Sequence, residues 1–116
     1  MAKATDLPIY REAYDLLVLL SKLTQQFPRG YRQGLARDIF AEAQEVVKHV
    51  FRANCTTNKV PILEQLREHL ETLRLMLRLS KDLGLISAGH FGATVVLTDS
   101  VGKQMSGWLN YARGRA

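Results

Sequence analysis

The sequence predicts an all-α fold, an antiparallel up-down four-helix bundle, from three observations. Leu63, Leu66, Leu70, Leu73 and Leu77 repeat at alternating spacings of three and four, the mark of a helix with one buried seam. Helix-breaking composition recurs at Phe27-Pro28-Arg29-Gly30, between Asn54 and Asn58, and between Gly84 and Gly89, which divides the chain into four segments of roughly 20 to 25 residues. No segment carries the period-two alternation of a strand. As helices, such segments span about 30 to 38 Å, and short connectors make consecutive helices antiparallel neighbours.

The first helix is placed at about 8 to 26, with Asp6 as its N-cap and Pro8 in its first turn, where the missing N–H costs nothing. Tyr10, Ala13, Tyr14, Leu17, Leu20, Leu23 and Phe27 give its inward positions. Pro28 drives Phe27 out of helical geometry and ends it. The second helix runs from about 29 to 54 and carries Leu35, Ile39, Phe40, Ala43, Val46, Val47, Val50 and Phe51 on its inner face. Asn, Thr and Cys between Asn54 and Asn58 form a connector. The third helix takes about 60 to 83, opening with Pro61 in its first turn and closing at the cap residue Gly84. Ser87 caps the fourth, at about 88 to 112, with Phe91, Val95, Thr98, Val101, Met105, Trp108 and Ala112 inward. Arg113-Gly114-Arg115-Ala116 is expected to be a short, frayed basic tail.

The 116 residues form one domain, spanning 1–116, with a single core. A hydrophobic content of 47% excludes a disordered tail. Sixteen Lys and Arg against eleven Asp and Glu leave a formal charge of +5, which favours a polyanion, a membrane surface or an acidic protein as partner. Cys55, the only cysteine, rules out an intrachain disulfide and a thiolate zinc site. The longest apolar run, Leu16 to Leu20, falls far below the roughly 18 residues of a membrane span. With no apolar leader after the N-terminal charge, a cytoplasmic protein with no membrane association is expected.

Catalytic, cofactor and metal constellations are not expected. A di-metal helix bundle needs Glu-x-x-His on two helices, which the chain lacks, so His49, His69 and His90 are assigned to packing or the surface. Cys55 has no nearby histidine, and no serine lies in a nucleophile elbow. Gly84, Gly89, Gly92, Gly102 and Gly107 do not form a phosphate loop; Gly102, Ser106 and Gly107 instead suggest close approach of the last helix to a neighbour in the chain or in another subunit. Tyr10, Tyr14, Tyr31 and Tyr111 are expected at the edges of the core.

The basic residues carry more information. Arg67, Arg74, Arg78 and Lys81 fall at i, i+7, i+11 and i+14 and share one face of the third helix. Glu71 can serve Arg74 and Asp82 can serve Arg78, which leaves this stripe with cationic charge for an external anion. Leu75, Met76 and Leu79 lie off the buried seam, so the helix has a second, partly apolar face. Arg37, Lys48 and Arg52 recur at i, i+11 and i+15 on the second helix, with Arg29 and Arg32 at its start. These nine cations are the candidate binding residues. The apolar surplus on the first and third helices predicts self-association.

Phe27-Pro28-Arg29, Gly34-Leu35-Ala36-Arg37-Asp38-Ile39-Phe40, Leu73-Arg74-Leu75-Met76-Leu77-Arg78-Leu79, and Gly102 to Leu109 ending in Ser106-Gly107-Trp108-Leu109 occur in an order that spans nearly the whole bundle. In these motifs the chain resembles the accessory variability determinant (Avd) proteins of diversity-generating retroelements, small four-helix proteins encoded beside an error-prone reverse transcriptase. The resemblance implies a barrel-shaped homopentamer without catalysis of its own. It also implies a basic surface that associates with the reverse transcriptase and with RNA or DNA during mutagenic retrohoming. Arg74 and Arg78 match the family's paired arginines, to which the resemblance assigns contact with the reverse transcriptase. Arg29, Arg32, Arg37, Lys48, Arg52, Arg67 and Lys81 receive only a general electrostatic role toward nucleic acid. The alternative is the similar four-helix proteins encoded in intervening sequences of bacterial 23S rRNA genes. Those carry Ser-Ile-Pro-x-Asn-Ile-Ala-Glu-Gly on the second helix, where this chain has Phe40-Ala41-Glu42-Ala43-Gln44-Glu45-Val46.

Overall fold

A computed structural model describes residues 3–114, and all regular structure within them is helical. A 3-10 turn, Ala4–Asp6, leads into α1, Pro8–Gln25. A single turn, α2 at Arg29–Tyr31, passes through a π-helical segment, Arg32–Ala36, into α3, Arg37–Cys55. Then follow α4, Val60–Asp82, and α5, Ala88–Gly114. The body measures 46 × 21 × 19 Å, the proportions of helices packed lengthwise. α1 packs on α3 and α5, and α4 packs on α3 and α5, so α1 and α4 occupy opposite corners of the bundle.

The ends of the helices follow local chemistry. Leu7, rather than Asp6, caps α1 and offers no side-chain hydrogen bond, because Asp6 closes the preceding turn and the Leu7 N–H donates to the Ala4 carbonyl. Cys55 ends α3 instead of lying in the connector. Lys59 holds that end by donating from Nζ to the carbonyls of Ala53 (2.7 Å) and Thr56 (2.8 Å). At the end of α4, Gly84 takes φ +75°, its N–H donates to the Lys81 carbonyl, and the Leu85 N–H donates to the Ser80 carbonyl. This pair of bonds closes a helix on a left-handed residue, which glycine adopts without steric cost. Ser87 Oγ accepts the His90 N–H at 3.0 Å and starts α5. Arg113 is the last-turn cation of α5 and pairs with Glu64 at 3.1 Å, so that part of the expected tail is ordered helix; Arg115 and Ala116 lie outside the described residues.

Leu63, Leu66, Leu70, Leu73 and Leu77 form the buried seam of α4 as their spacing requires. On α1 the seam is Ile9, Ala13, Leu16, Leu20 and Leu23, rotated from the expected phase, and Tyr14 is exposed. α3 buries Ile39, Ala43, Val46, His49, Val50 and Ala53, while Phe40 and Phe51 face outward. The centre of α5 contributes Thr94, Thr98, Val101, Gly102, Met105 and Leu109; Phe91, Val95, Trp108 and Ala112 are only half-buried. Thr94 and Thr98 satisfy their buried hydroxyls on the carbonyls of Phe91 and Val95, so α5 places polar residues inside without an unpaired group. Glu12 accepts hydrogen bonds from Ser100 and Gln104, which ties α1 to α5. Among the described residues no helix is long and apolar enough to cross a membrane.

Candidate functional site

The leucine seam of α4 faces the core, so residues one step round the helix meet its neighbours and those opposite meet solvent. Arg74 sits on the flank toward α5. Its Nη1 donates to Glu71 at 3.1 Å, its Nη2 donates to the Thr98 carbonyl at 3.0 Å, and Asp99 lies 3.6 Å from Nη2. Its Nε is buried without a hydrogen-bond partner. One turn on, Arg78 is 69% exposed and among the described residues pairs with Asp82 alone, at 3.4 Å. Lys81 places Nζ 5.1 Å from the Phe91 ring centroid, a cation–π contact. The stripe read from the sequence is therefore real in geometry but unequal in its members: Arg74 is built into the α4–α5 contact, whereas Arg78 is presented to solvent. Arg67 and Arg74 line a groove of about 530 Å³ with Lys103 from α5, and Glu71 and Asp99 supply most of the compensating charge.

The remaining candidates lie elsewhere. Arg32 turns inward at the corner after α1 and donates from Nε to the Phe27 carbonyl at 3.1 Å. Lys48 pairs with Glu45 at 3.0 Å. Arg29, Arg37, Arg52 and Arg67 are exposed and make no ion pair among the described residues. Lys48 and Arg52 border a groove between α1 and α3 whose walls include Tyr10, Val47 and Phe51. The structure thus makes two basic faces, one on the α5 side of α4 and one on the α1 side of α3.

Between them lies a flank that the sequence reading did not single out. Glu42, Glu45 and His49 stand at i, i+3 and i+7 on α3 and face His69 of α4. His69 Nδ1 is 2.7 Å from Glu42 Oε2, and His49, nearly fully buried, has Nδ1 2.7 Å from the Glu45 carbonyl oxygen. The two imidazole centroids are 4.7 Å apart. Hydrogen bonding from Lys48, outweighing desolvation, holds the Glu45 carboxyl below the usual glutamate range, with both histidines adding to the effect. The i, i+3, i+7 spacing of Glu42, Glu45 and His49 was the available sequence signal; its partner on α4 depends on helix register.

Exposed apolar side chains form two further patches. Leu75 and Leu79 on the outer face of α4, and Leu83 at its C-cap, recur every four residues. Tyr14, Phe40 and Phe51 are exposed on α1 and α3. Tyr14 and Tyr111 are more than half exposed, beyond the core-edge positions expected of them. Of the small residues of α5, Gly102 closely approaches α4, whereas nothing lies within 4 Å of a β-carbon placed on Gly107.

A family model described as bAvd-like matches residues 8–112. No curated protein matches the chain.

Proposed function

The chain belongs to the bAvd-like family, and from this we infer that it serves as the non-catalytic accessory protein of a diversity-generating retroelement, binding the reverse transcriptase and nucleic acid during mutagenic retrohoming. The match over residues 8–112 supports this role over that of the proteins encoded in 23S rRNA intervening sequences. The observation that carries the partner site is the presentation of Arg78. A guanidinium that is 69% exposed and held among the described residues by Asp82 alone keeps its planar donor fork available, and Arg74 stands one turn away in a groove that also contains Lys103. The polymerase contact is assigned to Arg78 directly, with Arg74, whose guanidinium is engaged by Glu71, Thr98 and Asp99, contributing charge beside it.

Nucleic acid is attracted by the unpaired cations Arg29, Arg37, Arg52 and Arg67, with Lys48 and Lys81 adding to the field and Arg32 contributing charge from the corner. At +5 per chain, five copies carry about +25, a field that draws a phosphate backbone without reading bases. Copy number then supplies avidity that one bundle lacks. Such assembly calls for two unlike patches per subunit, because a ring repeats one patch of each copy against a different patch of the next. The leucine face of α4 and the aromatic face of α1 and α3 meet that requirement.

The deciding experiment is co-purification with a co-expressed reverse transcriptase of a diversity-generating retroelement. Arg78→Ala and the Arg74→Ala, Arg78→Ala double variant should lose the polymerase while circular dichroism shows an intact bundle. A folded double variant that still retains the enzyme removes this pair from the site.

A further inference from the structure

We propose that Glu45, His49 and His69, supported by Glu42, form a binding site for a divalent first-row transition-metal ion that bridges α3 and α4. This departs from the sequence expectation of no metal ligand, which was based on the absence of a Glu-x-x-His motif and could not anticipate a ligand from a second helix.

Three of the four ring nitrogens of His49 and His69 lie within hydrogen-bond distance of an oxygen, and the fourth lies near the Glu45 carboxylate. His49 has Nδ1 2.7 Å from the Glu45 carbonyl and Nε2 3.3 Å from Gln65 Oε1. His69 has Nδ1 2.7 Å from Glu42 Oε2 and Nε2 3.9 Å from Glu45 Oε2. With the N–H of each neutral ring on Nδ1, donated to the Glu45 carbonyl and to Glu42 Oε2, both Nε2 atoms carry a free lone pair. A single cation can accept a lone pair from each ring together with the Glu45 carboxylate.

The ligand chemistry and placement agree. The 2.7 Å contact fixes the His69 Nδ1–H on Glu42, which leaves Nε2 as its ligand atom and reproduces the carboxylate–imidazole support found behind metal-bound histidines. Lys48 engages Glu45 Oε1 at 3.0 Å, so Oε2 is the oxygen turned toward the two rings. One ligand atom from each of Glu45, His49 and His69 lies within 4.8 Å of the others. Tetrahedral coordination with bonds of about 2.1 Å sets ligand atoms about 3.4 Å apart. Glu45 and His69, each about one-third exposed, have the freedom to close that difference, while buried His49 is the fixed point. Two imidazoles and a carboxylate favour zinc, cobalt or nickel over magnesium or calcium, which prefer all-oxygen sites. The fourth position is open to water or to the Gln65 amide oxygen.

Tag-free full-length protein should be titrated calorimetrically with ZnCl₂ at pH 7.5, and with CoCl₂ while its visible absorption is recorded. One ion per chain, a tetrahedral cobalt spectrum and a raised Tm are expected. His69→Ala and Glu45→Ala should abolish stoichiometric binding with helicity retained, and Glu42→Gln should weaken it by roughly 10- to 100-fold. His90→Ala, at the exposed start of α5, should leave binding unchanged. Should His69→Ala lose helicity, Glu45→Ala alone decides the matter. No saturable uptake by the wild type, or uptake undiminished in folded Glu45→Ala, overturns the site and leaves a hydrogen-bonded network in its place.

Discussion

Gly102 of α5 leaves the space that the Arg74 guanidinium of α4 occupies: a β-carbon placed on Gly102 would lie 2.6 Å from Arg74 Nη2 and 3.5 Å from Leu70 Cδ2. The same Nη2 donates to the Thr98 carbonyl, one turn before Gly102. The glycine and the arginine are thus two halves of one contact. Alanine at position 102 should gain helix propensity of about 0.8 to 1 kcal/mol, but only if the arginine no longer needs the space. Gly102→Ala is therefore expected to stabilise an Arg74→Ala background by about that amount and to give no gain in the wild type. Urea unfolding of the four proteins measures the coupling; strict additivity would show that the two residues do not share the contact.

The paired arginines should also differ in stability. Arg74 makes a charge-assisted bond to a backbone carbonyl of another helix, and its Nε is already without a partner. With partial exposure screening part of the effect, Arg74→Ala should cost about 1 kcal/mol. Among the described residues Arg78 pairs with Asp82 alone, in its own helix, so Arg78→Ala should stay within about 0.5 kcal/mol. Equal losses in thermal unfolding would contradict this division of roles.

Much of this architecture was legible because local signals agreed. The leucine seam of α4, Pro61, Gly84 and Ser87 each have one structural solution, and all four occur where spacing and capping chemistry put them. The phase of α1 was not legible: Leu16 to Leu20 is apolar at five successive positions, so its pattern admits more than one inward face, and packing selects Leu16 and Leu20. The π segment at Arg32–Ala36 was hidden for a related reason, since one extra residue per turn leaves no compositional mark and is stabilised by its surroundings. The basic stripe of α4 could be drawn from i, i+7, i+11 and i+14 alone. That Arg74 belongs to the α4–α5 contact, and that His69 meets His49, required the relative register of two helices.

Acid should weaken the α3–α4 flank through Glu45. Lys48, by hydrogen bond and charge, lowers the Glu45 pKa from its ordinary value of 4.5. A group whose folded pKa is depressed contributes stability that is fully present above the unfolded value and is lost as pH falls through the folded one. Glu45→Gln should therefore be less stable than the wild type at pH 6, and the difference should shrink as pH drops below 4.5. Thermal unfolding in metal-free buffer follows it; a difference independent of pH would assign the loss to shape rather than charge.

Affinity for unrelated RNA and DNA should fall steeply with salt, because each neutralised phosphate releases a counterion. Arg52→Ala and Arg67→Ala, which remove exposed and unpaired cations, should each reduce the slope of log K against log salt by roughly 0.7 to 0.9. Arg32→Ala should change it less, since that guanidinium is turned onto the Phe27 carbonyl. Filter binding across a salt series tests this, and binding insensitive to salt would remove the electrostatic mechanism.

Assembly should depend on two patches that never meet within one chain. Leu75 is 69% exposed on α4 and Phe51 is 53% exposed on α3, and burying either stabilises by up to about 1.5 to 3 kcal/mol per side chain. In a two-fold dimer each patch would face its own copy, whereas in a ring the α4 patch of one subunit faces the α3 patch of the next. Leu75→Ser and Phe51→Ser should therefore each dissociate the oligomer, and an equimolar mixture of the two should recover at most one productive interface per pair. Multi-angle light scattering distinguishes the cases: a mixture that stops at heterodimers establishes a head-to-tail contact, a finite wild-type mass then shows that it closes into a ring, and a wild-type chain that is monomeric at micromolar concentration removes both the ring and its multiplied charge.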